Sequence, residues 1–299
     1  MRRRFVTLDV FTGKRFAGNP LAVVLKPDGL DTAAMQSIAR EFNLSETVFV
    51  QPPTNKSHRA KLRIFTPANE LPFAGHPTVG TAVLLALRDG GDKDRDFILE
   101  ENIGLVPCRV KPQGKESGHA TFDLPRLPEE IGAPADNATI AAALNIGIDD
   151  IGFDGMPVQR WSAGAPYTIV PVKGLDAIGR CRIGTAHWDK AFGFDSHSAA
   201  FVVCREAAEQ GHAFHTRMFA PGAGITEDPA TGSAAAAFAG YLAAHAVYPD
   251  GQHLVRIEQG YEMGRPSVME LTMRISGGKL TGASIGGSAV VVSEGTIEA

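Results

Sequence analysis

The sequence predicts a mixed α/β protein built as two similar lobes. Segments that alternate like strands and small apolar segments that suit buried helices follow one another along the whole chain. The length of 299 residues and the hydrophobic share of 44% suffice for two cores of ordinary domain size. A motif R-x-F-x-P, followed by [H/D]-P-x-x-G-[T/S]-A, occurs in each half. These three observations together favour a duplicated fold.

The composition indicates a small molecule as the ligand. A formal net charge of -4 and a pI near 6.1 give no electrostatic reason to expect a nucleic acid or an anionic membrane as partner. Cys108, Cys181 and Cys204 show no CxxC spacing, which indicates neither a disulfide framework nor a cysteine-rich zinc site. Asp9 and Lys14 interrupt any apolar core of a signal peptide, and no apolar stretch is long enough to span a bilayer. We therefore expect a soluble cytoplasmic protein that binds no metal.

The first half is predicted to contain two helices among several strands. Asp31 can cap a helix that Asn43 ends, and Glu46 then stands directly before a strand-like segment. Glu46 is thus predicted to lie at a helix-to-strand junction. The predicted helices cover residues 32–42 and 78–87, and the predicted strands cover residues 5–11, 21–25, 47–50, 61–65, 97–99, 108–110 and 120–122.

The second half repeats this order. Pro125, Pro128 and the pair Glu129-Glu130 mark the crossing between the halves. The predicted lobes are residues 1–126 with 287–299, and residues 127–286. The predicted helices of the second half cover residues 138–144 and 231–245, and the predicted strands cover residues 167–172, 199–204, 254–259, 267–274 and 289–292.

Two blocks carry the internal repeat. Residues 63–67 match residues 217–221, and residues 76–82 match residues 228–234, with a two-residue difference in the loop between the blocks. Alanine-rich helices resemble one another by composition, which offers a simpler explanation of the second block alone. Because matched positions occur in both blocks and in the same order, we interpret the pattern as a duplication.

The second block predicts how each central helix begins. His76 and Asp228 take N-cap positions in this interpretation, and Pro77 and Pro229 take the first helical position, where no amide donor is needed. If a pseudo-twofold axis relates the halves, free N–H groups at both helix starts can bind a carboxylate. The glycines at residues 75, 80 and 232 allow close approach of a ligand or serve tight packing only.

Several short motifs together resemble the phenazine-biosynthesis isomerase (PhzF-like) family. The resemblance implies the diaminopimelate epimerase fold, in which each of two lobes wraps a curved, barrel-like sheet around a central helix, with the active site between the lobes. It also implies a homodimer and isomerisation of trans-2,3-dihydro-3-hydroxyanthranilate without metal, flavin or nucleotide. The motifs are Asp9-Val10-Phe11, Gly18-Asn19-Pro20, Asn43-Leu44-Ser45-Glu46-Thr47, Gly75-His76-Pro77-Thr78, Glu227-Asp228-Pro229-Ala230-Thr231-Gly232-Ser233, Gln259-Gly260 and Gly264-Arg265-Pro266-Ser267.

The same resemblance implies roles for individual residues. Glu46 matches the acid/base of the family, His76, Asp228 and Ser233 match its supporting polar residues, and Gly75 lies beside the substrate. The related epimerases and proline racemases use a cysteine at each central helix start. This chain has Ala74-Gly75-His76 and Asp228-Pro229 there, and its cysteines lie elsewhere. A two-thiol mechanism is therefore not expected.

The chemistry of Glu46 supports this assignment. A partly buried carboxylate can move a proton between two carbons of an allylic system if it reaches both on one face. The repeat counterpart of the strand after Glu46 is taken to be residues 167–170, where no acid stands in the matching place. A single base is therefore favoured over two. Taken alone, a glutamate before a strand is more often a solvated junction residue.

The other candidates each keep a second interpretation. His76 donates to the substrate or assists proton transfer, or it only caps and packs. Asp228 binds an amine or hydroxyl, or it caps its own helix. Gly232, Ser233 and Thr81 contact the ligand, although both hydroxyls can instead bond back to a helix carbonyl. The histidines of residues 212–215 lack the spacing of a helical zinc pair. A rival to the isomerase is a non-catalytic metabolite-binding or interaction protein on the same fold.

Overall fold

The computed structural model describes residues 1–193 and 198–299, which form two compact units. The first unit contains Met1–Pro125 and Ser284–Ala299, and the second contains Arg126–Ala283. Strands and helices alternate in both units, so the mixed α/β class predicted from the sequence is confirmed. Among the residues that the structure describes, no helix combines the length and the apolar character needed to cross a membrane.

The first unit contains all the strands before residue 125 and the end of the last strand of the chain. Both helices predicted for this half are present, and the second begins earlier than predicted. The elements are β1 (Arg2–Val10), β2 (Asn19–Leu25), α1 (Thr32–Phe42), β3 (Glu46–Gln51), β4 (Ala60–Phe65), β5 (Glu70–Leu71), α2 (Gly75–Asp89), β6 (Arg95–Glu101), β7 (Gly104–Pro112) and β8 (Ser117–Asp123).

The second unit begins with a short strand and ends inside the last strand. It contains two helices, α4 and α5, that the sequence analysis did not predict. The elements are β9 (Glu129–Glu130), α3 (Asn137–Leu144), β10 (Gln159–Ser162), β11 (Pro166–Pro171), α4 (Leu175–Arg180), α5 (Thr185–Phe192), β12 (Ala200–Cys204), β13 (Phe214–Ala220), β14 (Ile225–Asp228), α6 (Gly232–His245), β15 (Gly251–Gln259), β16 (Ser267–Ser276) and β17 (Lys279–Glu298).

The strands of the first unit close into a barrel around α2. The structure describes every residue of this unit, and its pairings run from β1 through β2, β3, β4, β6, β7, β8 and β17 back to β1. The pairs β2–β3 and β4–β6 are parallel, and the others are antiparallel. All residues from Gly75 to Ala86 of α2 are buried. A helix buried on all sides explains why its sequence is small and apolar throughout.

The second unit repeats this pattern around α6. Strands β10, β11, β12, β13, β15 and β16 pair in that order, with β11–β12 and β13–β15 parallel. Residues Ala234 to Leu242 of α6 are buried. A further apolar cluster forms around Trp188, which is fully buried. The two sheets therefore share one strand order, which supports the duplication.

The strand pairings correct the register of the second repeated block. Leu71 pairs with Ile64 on β4, and Asp228 pairs with Met218 on the matching strand β13. Asp228 therefore corresponds to Leu71, and the segments that start at Glu70 and Glu227 then match without a gap into the central helices. His76 corresponds to Ser233 and not to Asp228. The loop before the block has two residues after Pro67 (68–69) and five after Pro221 (222–226), so the length difference is 5 − 2 = 3 residues.

The counterpart of the Glu46 strand is also corrected. Thr47 pairs with Phe65, and Ala200 pairs with Phe219 in the same place of the repeat, so Glu46 corresponds to Ala199. Residues 167–170, the predicted counterpart, lie on β11, which matches β2 instead. The conclusion that the matching place carries no acid still holds, because Ala199 is not ionisable.

Candidate active site

The end of helix α1 and the start of strand β3 position Glu46. The Asp31 side chain accepts a hydrogen bond from the N–H of Ala34 at 2.8 Å, and Asn43 ends the helix with φ of 51° in the left-handed region. The chain then enters β3 at Glu46, beside Leu21 of the parallel strand β2. The predicted junction is confirmed, and the Glu46 residue is only 9% exposed. A glutamate at this place is buried and is not a solvated junction residue.

The imidazole of His76 lies against the Glu46 carboxylate. The distance from His76 Nε2 to Glu46 Oε2 is 3.4 Å, slightly longer than a normal hydrogen bond. Burial lowers the pKa of His76 to about 3, because desolvation disfavours the charged imidazolium. His76 is therefore neutral at physiological pH, and the contact joins a carboxyl group to a neutral imidazole rather than forming an ion pair. A neutral imidazole offers one N–H donor and one acceptor nitrogen.

Two further predicted residues lie on the same helix. Gly75 is the first residue of α2 and is buried directly before His76. Thr81 lies more than one helical turn later and is fully buried. Among the described residues, the Thr81 hydroxyl has no hydrogen-bond partner. The structure thus places Gly75 with His76, whereas a ligand contact of Thr81 stays a prediction.

Asp228 belongs to a buried hydrogen-bond network in the second unit. Its carboxylate accepts a hydrogen bond from the Thr231 hydroxyl at 2.6 Å, and its backbone carbonyl accepts one from the Gln259 side-chain amide at 2.6 Å. The same amide also donates to the Thr231 hydroxyl at 3.0 Å. Asp228 is 5% exposed and Gln259 is fully buried. The network fixes the turn between β14 and α6.

Gln259 belongs to the motif Gln259-Gly260, whose role the sequence does not reveal. Gln259 acts on the Asp228 turn from β15, far away in the sequence, so no local pattern could reveal the contact. The next residue, Gly260, has φ of 82°, and a Cβ there would lie 2.6 Å from the Pro229 carbonyl oxygen. The motif Gln259-Gly260 therefore supports the turn that carries Asp228.

Ser233 has a partner that the sequence analysis treated as an ordinary strand residue. The Ser233 hydroxyl lies 2.6 Å from the hydroxyl of Tyr167 on β11. Tyr167 is 8% exposed, and Ser233 is partly exposed at the second position of α6. Gly232 directly precedes it as the first helical residue. The sequence does contain a signal for this place, because residues 17–24 (AGNPLAVV) match residues 163–170 (AGAPYTIV). In this second repeat Tyr167 corresponds to Leu21.

The predicted helix caps are wrong in both units. Helix α2 begins at Gly75 with Ala74 as N-cap, so His76 lies inside the first turn. Helix α6 begins at Gly232 with Thr231 as N-cap, so Asp228 lies outside the helix at the end of β14. Gly75 and Gly80 lie five residues apart among small residues. The predicted alignment matched Gly232 with Gly80, whereas the structure matches it with Gly75. Ala74 and Thr231 stand at the matched cap positions, so neither cap is a cysteine.

His212 and His215 contact acidic side chains. Nδ1 of His212 lies 2.7 Å from Glu258 Oε2, and Nδ1 of His215 lies 2.6 Å from Glu258 Oε1. Nε2 of His215 lies 3.0 Å from Glu262. Desolvation lowers the pKa of His215, but the hydrogen bonds to Glu258 and Glu262 outweigh it and raise the pKa to about 9. The cluster is accounted for by these internal hydrogen bonds and ion pairs.

Comparison with known proteins gives one consistent picture. The profile of a family described as phenazine biosynthesis-like protein matches residues 8–295. An uncharacterised isomerase of Mesorhizobium japonicum is 50% identical over 99% of this chain and 98% of its own length. The trans-2,3-dihydro-3-hydroxyanthranilate isomerase of Pseudomonas aeruginosa is 37% identical, over 98% of each chain.

Solved structures agree with the sequence comparison. A Bacillus anthracis phenazine biosynthesis protein of the PhzF family superimposes with a TM-score of 0.89 at 25% identity and covers 100% of both chains. A hydroxyproline epimerase from Agrobacterium vitis gives a TM-score of 0.66 at 11% identity, with 99% of this chain and 91% of the epimerase covered. The second likeness concerns the fold alone, and it agrees with the predicted epimerase-like architecture.

Proposed function

The chain belongs to the phenazine biosynthesis-like (PhzF) family, and from this premise we propose that it is an isomerase that needs no cofactor. The substrate is a small unsaturated cyclic amino or hydroxy acid, similar to trans-2,3-dihydro-3-hydroxyanthranilate. Glu46 is the acid/base. The curated relatives named above are isomerases, and this supports the reaction class.

One observation carries the proposal: a buried carboxyl group contacts a buried, neutral imidazole. Glu46 is a side chain that can hold a proton, and water is largely excluded from it. His76, 3.4 Å away, stays neutral and therefore does not form an ion pair with the Glu46 carboxylate. Such surroundings suit a carboxylate that removes a proton from carbon and returns it.

The proposed step conserves all atoms and electrons of the substrate. Glu46 removes a proton from the sp3 carbon that bears the hydroxyl group, and the electron pair of that C–H bond shifts the conjugated double bonds toward the carboxylate end of the ring. The protonated Glu46 then gives the proton to the far carbon of this system, the one that bears the carboxylate, where a new C–H bond forms. Since one group performs both transfers, no second base is needed, which agrees with Ala199 at the matched place of the repeat.

The remaining residues bind and orient the substrate in this proposal. His76 donates a hydrogen bond to a substrate oxygen or nitrogen, and the Gly75 backbone lies beside the ring. Asp228 binds the amino or hydroxyl group, because an ionised Asp228 would repel a carboxylate. The N–H groups of Gly232 and Ser233, at the start of helix α6, bind the substrate carboxylate. Thr81 is the weakest member of the set.

The test follows deuterium uptake at carbon. We expect the wild-type protein, incubated with trans-2,3-dihydro-3-hydroxyanthranilate in deuterated water, to incorporate solvent deuterium at the far carbon. Glu46→Gln keeps the size of the side chain but removes the base, so uptake should fall by about 10²–10⁴-fold. Mass spectrometry and proton NMR give the amount and the position of the label.

The matched control is Glu41→Gln, an exposed glutamate on helix α1 close to Glu46 in sequence. It should leave deuterium uptake unchanged. Equal uptake in Glu46→Gln and the wild type would overturn the assignment of the base. A wild-type protein that binds the acid but takes up no deuterium would favour the rival, a non-catalytic metabolite-binding protein.

Assembly as a homodimer and activity without a cofactor are part of the proposal and come from the family resemblance. Light scattering on the purified chain measures the mass of the assembly, against 31.7 kDa for one chain. Deuterium uptake after dialysis against a chelator tests the second part. Full activity is expected.

A further inference from the structure

Tyr167 presents its hydroxyl group to Ser233 at the start of the central helix of the second unit. The two oxygens are 2.6 Å apart, and Tyr167 is 8% exposed. Among the described residues, Tyr167 is the hydrogen-bond partner of the Ser233 hydroxyl. A buried phenol needs such a partner, since an unsatisfied hydroxyl is costly away from water.

The fold does not require a tyrosine at this place. The matched residue of the first unit is Leu21, which is fully buried on β2 and packs as an ordinary core residue. The matched residue of Ser233 is His76, which meets Glu46 from the neighbouring strand β3 instead. In each unit, the second residue of the central helix thus contacts a polar side chain from a strand. In the first unit this residue is His76, which contacts the proposed acid/base Glu46.

The direction of the hydrogen bond follows from acidity. A phenol is a better donor than an aliphatic hydroxyl because its pKa is far lower. Either oxygen can donate in this contact, and the acidity of the phenol favours Tyr167 as the donor. In that arrangement the Ser233 O–H remains available for another acceptor. The first-turn N–H groups of α6, from Gly232 and Ser233, have no acceptor within the helix. The Ser233 hydroxyl and these N–H groups can bind the same negative group.

We infer that Tyr167 is a positioning residue that holds the Ser233 hydroxyl as a donor toward the substrate carboxylate. This inference rests on the proposed function, since it takes the ligand to be a small carboxylic acid. Tyr167 acts on affinity and on the choice of ligand. The proton transfer itself does not involve it.

The experiment compares two probes that differ by one carboxylate. 3-Hydroxyanthranilate is the aromatic analogue of the proposed substrate, and 2-aminophenol is the same molecule without its carboxylate. Calorimetric titration of Tyr167→Phe should show the Kd for 3-hydroxyanthranilate raised about 5–10-fold, the effect of one lost neutral hydrogen bond. The Kd for 2-aminophenol should change less than about twofold. In turnover assays, KM should rise by a similar factor while kcat stays within about twofold.

A double-mutant cycle and a matched tyrosine complete the test. In the Ser233→Ala background, Tyr167→Phe should cause no further loss of affinity, because its effect passes through the serine. Tyr241→Phe removes another buried hydroxyl of the same unit, which donates to the Pro157 carbonyl at 2.8 Å. This control should lower Tm and leave both Kd values unchanged.

The outcomes separate the inference from the proposed function. Additive effects in the cycle, or equal losses for both probes in Tyr167→Phe, would overturn the inference and leave the isomerase proposal intact. A wild-type protein that binds 3-hydroxyanthranilate no better than 2-aminophenol would overturn the carboxylate ligand, and the inference with it.

Discussion

At the start of the central helix, the first unit carries Ala74, Gly75 and His76, whereas the second carries Thr231, Gly232 and Ser233. In the first unit the third of these residues contacts a carboxyl group at 3.4 Å, and in the second it contacts a phenol at 2.6 Å. A carboxyl group can exchange a proton with carbon, whereas two hydroxyls bind a ligand without changing charge at neutral pH. One duplicated scaffold thus presents an ionisable pair and a neutral pair.

The residues at the ends of β6 and β15 show the same contrast. Glu100 and Glu258 correspond, and each accepts hydrogen bonds from two backbone N–H groups. Glu100 also contacts one histidine, His58, whereas Glu258 contacts both His212 and His215. The next residues differ, since Glu101 accepts from the Thr78 hydroxyl at 2.7 Å and Gln259 holds the Asp228 turn. The shared pair serves the fold, and the differing pair supports different helix starts.

Among the substitutions that compare the two units, the largest difference in the free energy of unfolding is expected at their matched arginines. Arg217 is 3% exposed, binds Glu227 at 2.8 Å and donates to the carbonyls of Ile178 and Cys181. Arg63 binds Glu70 similarly but is 18% exposed. Arg217→Ala should lower the free energy of unfolding by about 3–5 kcal/mol, because a buried charge loses its partner. Arg63→Ala should cost about 1–2 kcal/mol.

Urea titration followed by far-UV circular dichroism measures both arginine variants. Tryptophan fluorescence would report the second unit alone, since Trp161 and Trp188 both lie there. Equal losses in the two variants would show that the ion pair contributes the same free energy of unfolding in both units. Burial would then not determine its contribution.

A smaller, pH-dependent effect is expected at Glu101. Burial raises its pKa to about 8, despite the hydrogen bond from Thr78. The folded state then binds more protons than the unfolded state between pH 4.5 and about 8, so stability falls as pH rises through this range. Glu101→Gln copies Gln259 and removes this loss. The variant should be about 2–4 kcal/mol more stable than the wild type at pH 8.5 and nearly equal to it at pH 4.5.

Thermal unfolding of Glu101→Gln and the wild type at several pH values gives the comparison. Glu100→Gln is the matched control with the opposite sign, because backbone N–H groups of Asn55 and Thr54 lower the pKa of Glu100 to about 2. Its destabilisation should be present at neutral pH and fade in acid. Parallel pH curves for Glu101→Gln and the wild type would show that Glu101 titrates normally.

The smallest expected effect compares the protonation states of two histidines in the wild-type protein. His76 should remain neutral and His215 should remain protonated from pH 5 to 8, because their pKa values are about 3 and about 9. Nitrogen-15 NMR of labelled imidazoles, assigned with His76→Gln and His215→Gln, distinguishes the two states. A titration of His76 near pH 6.5 would mean that its surroundings are hydrated and would remove the neutral imidazole from the proposed mechanism.

Local signals predicted much of the framework. Helix α1, its Asp31 cap and its Asn43 end follow from rules that act within one helical turn, and Glu46 was therefore placed correctly. The start of α2 was misplaced because Gly75 and Gly80 fit the same short pattern, and sequence alone does not distinguish them. The pairings of Leu71 with Ile64 and of Asp228 with Met218 settle the register, because they tie each turn to the matching strand of its own unit.

The sequence by itself determined the mixed α/β class, the duplication and the family, because these depend on local periodicity and on the order of short motifs. The tertiary structure decided which residues of the two copies correspond and which side chains meet. Burial of His76 beside Glu46, and the contact of Tyr167 with Ser233, depend on strands and helices far apart in the chain. Desolvation and pairing across such distances set pKa values and hydrogen bonds, and no window of sequence contains them.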